Sequence, residues 1–226
     1  MKGKRVFYCE MAYLVGIVVL AFSTALMERA NLGLSMVVAP AYLVHLKVSE
    51  FLPFFSFGMA EYVFQAVLLV ALTLIMGKGK IGYLLSFATA FFYGLLLDGA
   101  IALIGLLPFQ GIAWRLVCYG TGLVTCSFAV ALLFHTYFPP EVYELFVKEL
   151  SQKTGLAVGK TKTVYDCCSL LLSVVLSFAF FGKLVGVQWG TLFCALVNGW
   201  LIGRISRFLE GKFDFRDALP LREKIG

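Results

Sequence analysis

The chain has 226 residues, of which 61% are hydrophobic and only 14% are charged, and its formal net charge is +6. A soluble domain is about 45–50% apolar and about 25% charged, so this composition predicts an integral membrane protein. Long apolar runs with few charges also argue against a disordered chain, a nucleic-acid-binding protein and a secreted disulfide-linked domain. The composition alone indicates no substrate.

Six segments of the chain are long and apolar enough to cross a bilayer as helices, which takes about 20 residues because lipid offers the backbone no hydrogen-bond partners. The first can also be read as a secretory signal, since Lys2 and Lys4 precede it, but no small-x-small cleavage site follows. The predicted spans are 5–27, 57–76, 82–106, 112–135, 164–184 and 187–205.

The distribution of positive charge predicts the orientation of these spans. With the amino terminus in the cytoplasm, fifteen of the nineteen Lys and Arg residues fall on the cytoplasmic side. Only Arg29, Lys47, Arg115 and Lys183 then face outward. The positive-inside rule therefore predicts that both termini are cytoplasmic, with residues 210–226 as a short cytoplasmic tail.

Two connections between the spans are longer than a turn requires. Segment 31–50 is apolar but is interrupted by Gly33 and Pro40 and is too short to cross, which predicts a re-entrant or interfacial segment. Segment 139–154 starts with two prolines and continues with apolar residues at helical spacing. It is predicted to be a short amphipathic helix on the inner membrane face.

The two halves of the sequence are similar to each other, as is common in transporters. At an offset of 106 the first span matches the fourth at six of fourteen positions, and at an offset of 105 spans two and three match spans five and six. An odd number of spans per repeat inverts the second copy. The predicted fold is a single all-α membrane domain of six transmembrane helices in two inverted three-helix repeats, about 5–106 and about 112–209.

Four short motifs carry a resemblance to a known group of proteins. They are ANLGLS at 30–35, GLLLD at 94–98, GKTKTVYD at 159–166 and QWGTLFCALVNG at 188–199. On these motifs the chain resembles the YczE/YitT-like group of bacterial multi-pass membrane proteins, although Met36 stands where members often have proline. The resemblance implies a bacterial plasma (inner) membrane protein with a transport role and without the soluble domain of YitT-type relatives.

Ionisable residues within a span are costly, so those present need a physical reason. Glu61 and Asp166 are repeat partners, each about one turn inside its span from opposite membrane faces, which suits coupling-ion or substrate sites. The alternative is that each carboxylate stabilises the start of its helix. Asp98 is a third candidate, with a structural ion pair to Arg115 or Lys183 as its alternative.

Further polar residues are candidates for contacts to a solute. Lys160 and Lys162 are placed to attract an anion at the cytoplasmic mouth, and their alternative role is to anchor the span to anionic headgroups. Asn198 and Gln188 are candidates for polar contacts, with interhelical hydrogen bonding as the alternative.

Small residues recur at near-helical spacing along the third and sixth spans, where they allow helices to approach closely. We therefore expect these two spans to form the central packing pair. The residues are Gly82, Ser86, Ala90 and Gly94, and Gly190, Thr191, Ala195 and Gly199.

The sequence favours a secondary transporter for a small polar or amphipathic solute, coupled to protons or another cation. The alternatives are a membrane scaffold or regulatory protein, which predicts no aqueous cavity, and a membrane enzyme, which requires a cluster of catalytic residues that the sequence does not display. No catalytic residue, cofactor or metal ligand set is predicted. The expected partners are the lipid bilayer and the solute, and no nucleic-acid partner is expected. A homodimer is an alternative to a monomer that the sequence does not decide.

Overall fold

The computed structural model describes residues 5–77, 79–107, 111–156 and 158–219. Within these residues the chain forms eight α-helices and two short β-strands. In chain order they are β1 (Arg5–Tyr8), α1 (Cys9–Ala30), α2 (Ala39–Val48), α3 (Phe57–Met76), α4 (Ile81–Gly105), α5 (Ile112–Phe134), α6 (Val142–Thr154), α7 (Val158–Phe181), α8 (Trp189–Lys212) and β2 (Phe213–Arg216).

Six helices in the described part of the chain, α1, α3, α4, α5, α7 and α8, are long and apolar enough to cross a membrane. The six predicted spans are confirmed, and the chain is a multi-pass membrane protein. Three boundaries differ from the prediction by four residues or more. Helix α1 begins at Cys9 instead of residue 5, α7 begins at Val158, and α8 continues to Lys212.

The two ends of the described chain are paired with each other. Strands β1 and β2 are parallel, with Phe7 opposite Phe215, and the Glu10 carboxylate accepts hydrogen bonds from the backbone amides of Ala218 and Leu219. Aromatic and β-branched residues favour strand geometry, which explains why the apolar residues before Cys9 leave the helix. The all-α prediction is therefore correct for the spans but missed this strand pair, which takes up part of the expected tail.

Helices α1 and α5 form the centre of the bundle and pack antiparallel. Two glycines allow the close approach. A Cβ atom at Gly16 would lie 2.9 Å from the Leu133 side chain, and one at Gly122 would lie 2.8 Å from the Met27 side chain and 2.9 Å from the carbonyl oxygen of Ser23. The backbones of α1 and α5 are therefore in near contact along their length.

The predicted central pair, formed by the third and sixth spans, is wrong. Helix α4 packs on α1 and α3, whereas α8 packs on α5. The small residues of α4 serve other neighbours, because Gly94 faces Gly58 of α3 and Ser86 donates to the Pro140 carbonyl before α6. On α8, Gly190 packs against the Leu32 backbone, so its small residues admit the loop before α2.

Helix α6 is embedded in the bundle, which corrects the prediction that it lies on the membrane face. At its start, the Val142 amide donates to Gln65 Oε1 at 3.0 Å. Near its end, Lys153 Nζ donates to the Ile75 carbonyl. Gln65 and Ile75 are about 15 Å apart along α3 at 1.5 Å per residue, so α6 begins beside the middle of α3 and ends beside its end.

Helix α2 has a comparable position beside α7. Its first turn, with Ala39 and Pro40, is buried, and at its other end Lys47 Nζ lies 6.0 Å from the ring centroid of Phe181, the last residue of α7. The last residues of α2 therefore lie beside the last residue of α7, and α2 starts deeper in the bundle. This position fits the re-entrant alternative predicted for segment 31–50.

Candidate functional site

A cavity of about 410 Å³ lies where the first turns of α6 and the segment leading into α2 meet the central helices. Small-molecule sites typically have volumes of about 300–1,000 Å³. The helices α1 and α5 supply its apolar walls, and the segments before α2 and α6 close it. Its lining includes Leu20, Thr24, Met27, Cys126, Val130, Leu133, Leu34, Ser35, Met36, Val37, Val38, Tyr93 and Ala195.

The most unusual group in the cavity is the carboxyl of Glu141, which immediately precedes α6. Glu141 is only 6% exposed, and its Oε1 atom has no hydrogen-bond partner among the described residues. Burial, together with the neighbouring carboxylate of Glu61, raises the pKa of this carboxyl well above its usual range. An orphaned buried oxygen that faces a cavity indicates a place for a ligand that donates a hydrogen bond.

A second ionisable group lines the same wall of the cavity. Lys162 Nζ on α7 lies 3.0 Å from Glu144 Oε1 on α6 and 3.2 Å from Asp166 Oδ1 one turn further along α7. The lysine is therefore shared between two carboxylates. It links α6 to α7 and makes no ion pair with Glu141, whose hydrogen-bond donor is the Gln65 side chain.

Glu61 lies beside the cavity and not in its lining. Its side chain is fully buried in α3, and its Oε2 atom accepts from the Tyr143 hydroxyl at 2.8 Å and from Gln65 Nε2 at 3.4 Å. The other oxygen, Oε1, has no hydrogen-bond partner within the described part of the chain. Because α6 enters the bundle, Glu61 and Asp166 both approach this one helix.

Of the predicted polar contacts, Asn198 lies in the cavity lining and its Oδ1 accepts from the Ser127 hydroxyl at 2.8 Å. Gln188 instead caps the start of α8, where it shares a capping box with Thr191. Lys160 is exposed.

Asp98 has a structural role outside the cavity. Its carboxylate accepts hydrogen bonds from the Ser56 hydroxyl at 2.5 Å and from the Gly58 amide at 2.7 Å, at the start of α3.

Some of the small residues of the sixth span are buried in packing contacts, and the others line the cavity. Gly190 and Thr191 are buried where α8 begins, whereas Ala195 and Gly199 line the cavity. Gly199 has open space where a Cβ would stand. On α4, Ala90 is buried in the packed part of the helix and Gly82 lies near its first turn.

A wider cleft of about 920 Å³ adjoins the cavity. The two share lining residues at the end of α5 and along α6, among them Phe134, Pro140 and Glu144. The cleft extends to Lys80 and Tyr83 at the start of α4. Helix α4 runs parallel to α1, since Tyr13 contacts Thr89 and Thr24 contacts Tyr93, so the cleft lies toward the end of the bundle where the chain termini pair.

Three residues of the site were not identified from the sequence: Glu141, Glu144 and Tyr143. The segment that contains them was interpreted as an interfacial helix, on which charged residues are ordinary. One signal was present, since the two prolines at 139–140 stop a helix from continuing out of α5 and an acidic residue follows them directly. A broken helix in a transporter often marks the binding site.

Fold and site together define a helical multi-pass membrane protein with a mostly apolar cavity in the bundle that is lined by a few ionisable side chains. The chain belongs to a family of unknown function (DUF6198), whose match covers residues 7–207. It is also similar to the uncharacterized protein YyaS of Bacillus subtilis (strain 168), with 26% identity over 207 residues that cover 90% of this chain and 94% of that protein. No solved structure matches the chain.

Proposed function

We propose that this protein is a secondary transporter that moves a small solute by alternating access through the cavity. The observation that carries the proposal is the cavity itself, which lies deep in the bundle between two half-length helices. Broken helices that meet near the middle of the membrane are typical of transporter binding sites. A scaffold or regulatory protein has no use for such a cavity, and it is the less favoured alternative.

An inverted-repeat arrangement is part of this proposal, and the packing of α1 on α5 supports it. Adding the offset of 106 to Gly16 gives Gly122, and adding it to Met27 gives Leu133. Gly16 approaches Leu133, while Gly122 approaches Met27. A pseudo-twofold axis between two antiparallel helices produces this reciprocal pair of contacts.

The half-length helices give a second reciprocal pair of contacts. Lys47 near the end of α2 contacts Phe181 of α7, and Lys153 near the end of α6 contacts Ile75 of α3. The offset of 106 relates Lys47 to Lys153, and the offset of 105 for the second span relates Ile75 to Phe180, the residue next to Phe181. The walls of the cavity follow this pattern, since Leu20, Thr24 and Met27 correspond to Cys126, Val130 and Leu133.

The orientation follows from the positive-inside rule together with the paired ends of the chain. We propose that both termini are cytoplasmic, in the plasma membrane of a bacterium, and that the cleft beside α4 is the cytoplasmic mouth of the cavity. The structure then corresponds to an inward-open state of the transport cycle. The resemblance to the YczE/YitT-like group rests on the four sequence motifs alone and stays part of the proposal.

Coupling to protons or another cation through Glu61 and Asp166 stays part of the proposal. Both carboxylates lie next to α6, which forms one wall of the cavity. In proteoliposomes with an internal pH-sensitive dye, a bacterial metabolite extract should cause proton movement with the wild type and not with a Glu61→Gln, Asp166→Asn double variant. Equal proton movement in both proteins removes these residues from the coupling mechanism.

The transport proposal is tested through the native cysteines of α5. Cys126 lines the cavity, whereas Cys118 is buried on the same helix outside the lining. Two variants are compared, each retaining one of these cysteines with the other five replaced by serine. A membrane-impermeant thiol reagent is applied to right-side-out and to inside-out membrane vesicles.

Alternating access predicts that Cys126 is labelled from both sides of the membrane and that Cys118 is labelled from neither. Labelling of Cys126 from one side only indicates a receptor-like pocket and contradicts transport. Absence of labelling from both sides, in a variant that remains monodisperse, contradicts the cavity as a solute path.

A further inference from the structure

We infer that the solute bound in the cavity is a small organic cation, an ammonium group attached to an apolar body, with the ammonium placed against Glu141. The inference rests on the proposed transport function, because it names the substrate class of the same site. Its basis is the charge and the polarity of the cavity walls.

The charged groups that line the described cavity are unequal in number. Three are carboxylates, those of Glu141, Glu144 and Asp166, and one is the ammonium of Lys162. Lys162 already contacts both Glu144 and Asp166. The Glu141 carboxylate is hydrogen-bonded by Gln65, but its Oε1 atom has no partner and none of the described ion pairs includes it. A buried carboxylate without a paired cation carries a large desolvation cost, which a bound cation offsets.

The N-terminus of α6 does not reverse this preference. The partial positive charge of a helix N-terminus favours anions, but Glu141 is itself the residue that precedes the first turn of α6. The Glu141 side chain makes no capping hydrogen bond, and the Val142 amide of the first turn already donates to Gln65 Oε1 at 3.0 Å. An anionic solute would meet the Glu141 carboxylate at close range.

Part of the cavity lining is suited to an apolar group. Leu34, Met36, Val37 and Val38 from the segment before α2 contribute to it, together with Met27 of α1. Methionine side chains adapt to ligands of different shape. The cavity therefore offers both ionisable side chains and an apolar surface, which matches an amphipathic amine.

Three probes of nearly equal shape and different charge test the inference on the purified full-length protein in nanodiscs. They are 2-phenylethylammonium, the uncharged 2-phenylethanol and the anionic phenylacetate. Binding is measured at pH 8 by isothermal titration calorimetry. We expect the ammonium to bind at least about tenfold more tightly than the other two, as is usual when a buried charge pair is formed.

Substitution of the proposed ligand provides the second test. We expect Glu141→Gln to weaken binding of 2-phenylethylammonium at least about tenfold, while its affinity for 2-phenylethanol is unchanged. Glu28→Gln is the matched control, because Glu28 is a partly buried helical glutamate outside the cavity lining. The probe comparison uses the wild type alone, so it decides the question even if a variant does not fold.

Several results overturn the inference: equal binding of the ammonium and the alcohol, preference for phenylacetate, or no binding of any of the three probes. Preference for phenylacetate with Cys126 labelled from both sides rejects the substrate class and keeps transport. Binding of the ammonium through Glu141 with one-sided labelling keeps the ligand class and rejects transport.

Discussion

Helices α2 and α6 occupy comparable places in the bundle, each half the length of a span and each beginning next to the cavity. Their chemistry differs. On the α2 side the lining is apolar apart from one hydroxyl, whereas the α6 side carries carboxylates and a phenol. The lining residues are Leu34, Ser35, Met36, Val37 and Val38 on one side, and Pro140, Glu141, Tyr143, Glu144 and Val147 on the other.

This difference separates residues that the packing of the helices requires from residues that the proposed ligand requires. At the offset of 106, Ser35 corresponds to Glu141 and Val38 to Glu144, so equivalent places hold unlike groups. Packing contacts between α1 and α5 stay reciprocal because both halves need the same close approach. The ionisable groups are not duplicated, and a solute with two unlike ends fits such a cavity in one orientation.

We expect the largest difference in stability between the α6 side and the α2 side when the lysine on each side is removed. Lys162→Met leaves Glu144 and Asp166 without their shared cation, and we expect a loss of about 3 kcal/mol in the free energy of unfolding. Lys47→Met on the α2 side breaks an exposed pair with Glu50 and removes contacts with the rings of Phe51 and Phe181. These interactions are weak at exposed sites, so the cost should stay below about 1 kcal/mol. Unfolding by SDS in mixed micelles measures both, and equal losses would contradict the contrast.

The shared scaffold should respond alike in the two halves. Gly16→Ala and Gly122→Ala each place a methyl group within 3 Å of the facing helix, and each should cost about 2 kcal/mol of unfolding free energy. Gly99→Ala is the control, because nothing lies within 4 Å of the added Cβ there. If only one of the two glycines is sensitive, the reciprocal packing is not what holds α1 and α5 together.

A smaller effect is expected at the tyrosine that links α6 to α3. Tyr143→Phe removes the hydroxyl that donates to Glu61, and loss of a hydrogen bond to a buried carboxyl group costs about 1.5 kcal/mol. On α2, the Tyr42 hydroxyl makes no hydrogen bond that the structure describes, so Tyr42→Phe should change stability by less than about 0.5 kcal/mol. Thermal unfolding of the purified variants ranks the two.

The smallest effect expected concerns pH. Burial raises the pKa of the Glu141 carboxyl, so protonation neutralises it at a higher pH than an exposed glutamate. The affinity for 2-phenylethylammonium should be greatest above that pKa and fall, by about tenfold or less, as the pH is lowered through it. Titration calorimetry over a series of pH values measures this fall. The titratable groups that face Glu141 are Tyr13, Glu61, Tyr93, Cys126, Tyr143, Glu144 and Lys162.

Glu141→Gln serves as the reference for this measurement. Glutamine does not titrate, so the affinity of this variant for 2-phenylethylammonium should not change over the same pH range. An equally steep profile in the variant assigns the pH dependence to one of the other groups.

Much of the fold could be predicted because hydropathy is a local property. Six apolar runs predicted six helices, and the prolines at 139–140 indicated where the short helix α6 would begin. Pro40 was interpreted only as an interruption of a re-entrant or interfacial segment, so helix α2 itself was not predicted. The depth of α6 could not be predicted, because its charged residues are also typical of an interfacial helix. Their partners come from distant parts of the chain, as with Lys80 of α4, which lies 2.7 Å from Glu149.

The site was predicted only in part for the same reason. Lys162, Asp166 and Asn198 were named from the sequence and lie around the cavity. Asp98 was also named, but it caps α3, a contact across 40 residues that no local pattern reveals. The small residues of α8 indicated close packing, yet part of them face open volume, since a missing side chain can make room for either a helix or a ligand.

The parallel pairing of β1 with β2 bears on how the protein is made. The first strand emerges before any helix, and its partner emerges only after all six long helices have been synthesised. Residues 5–8 therefore cannot form this strand pair until β2 has been synthesised. The pair forms only in chains in which the last long helix has already been made.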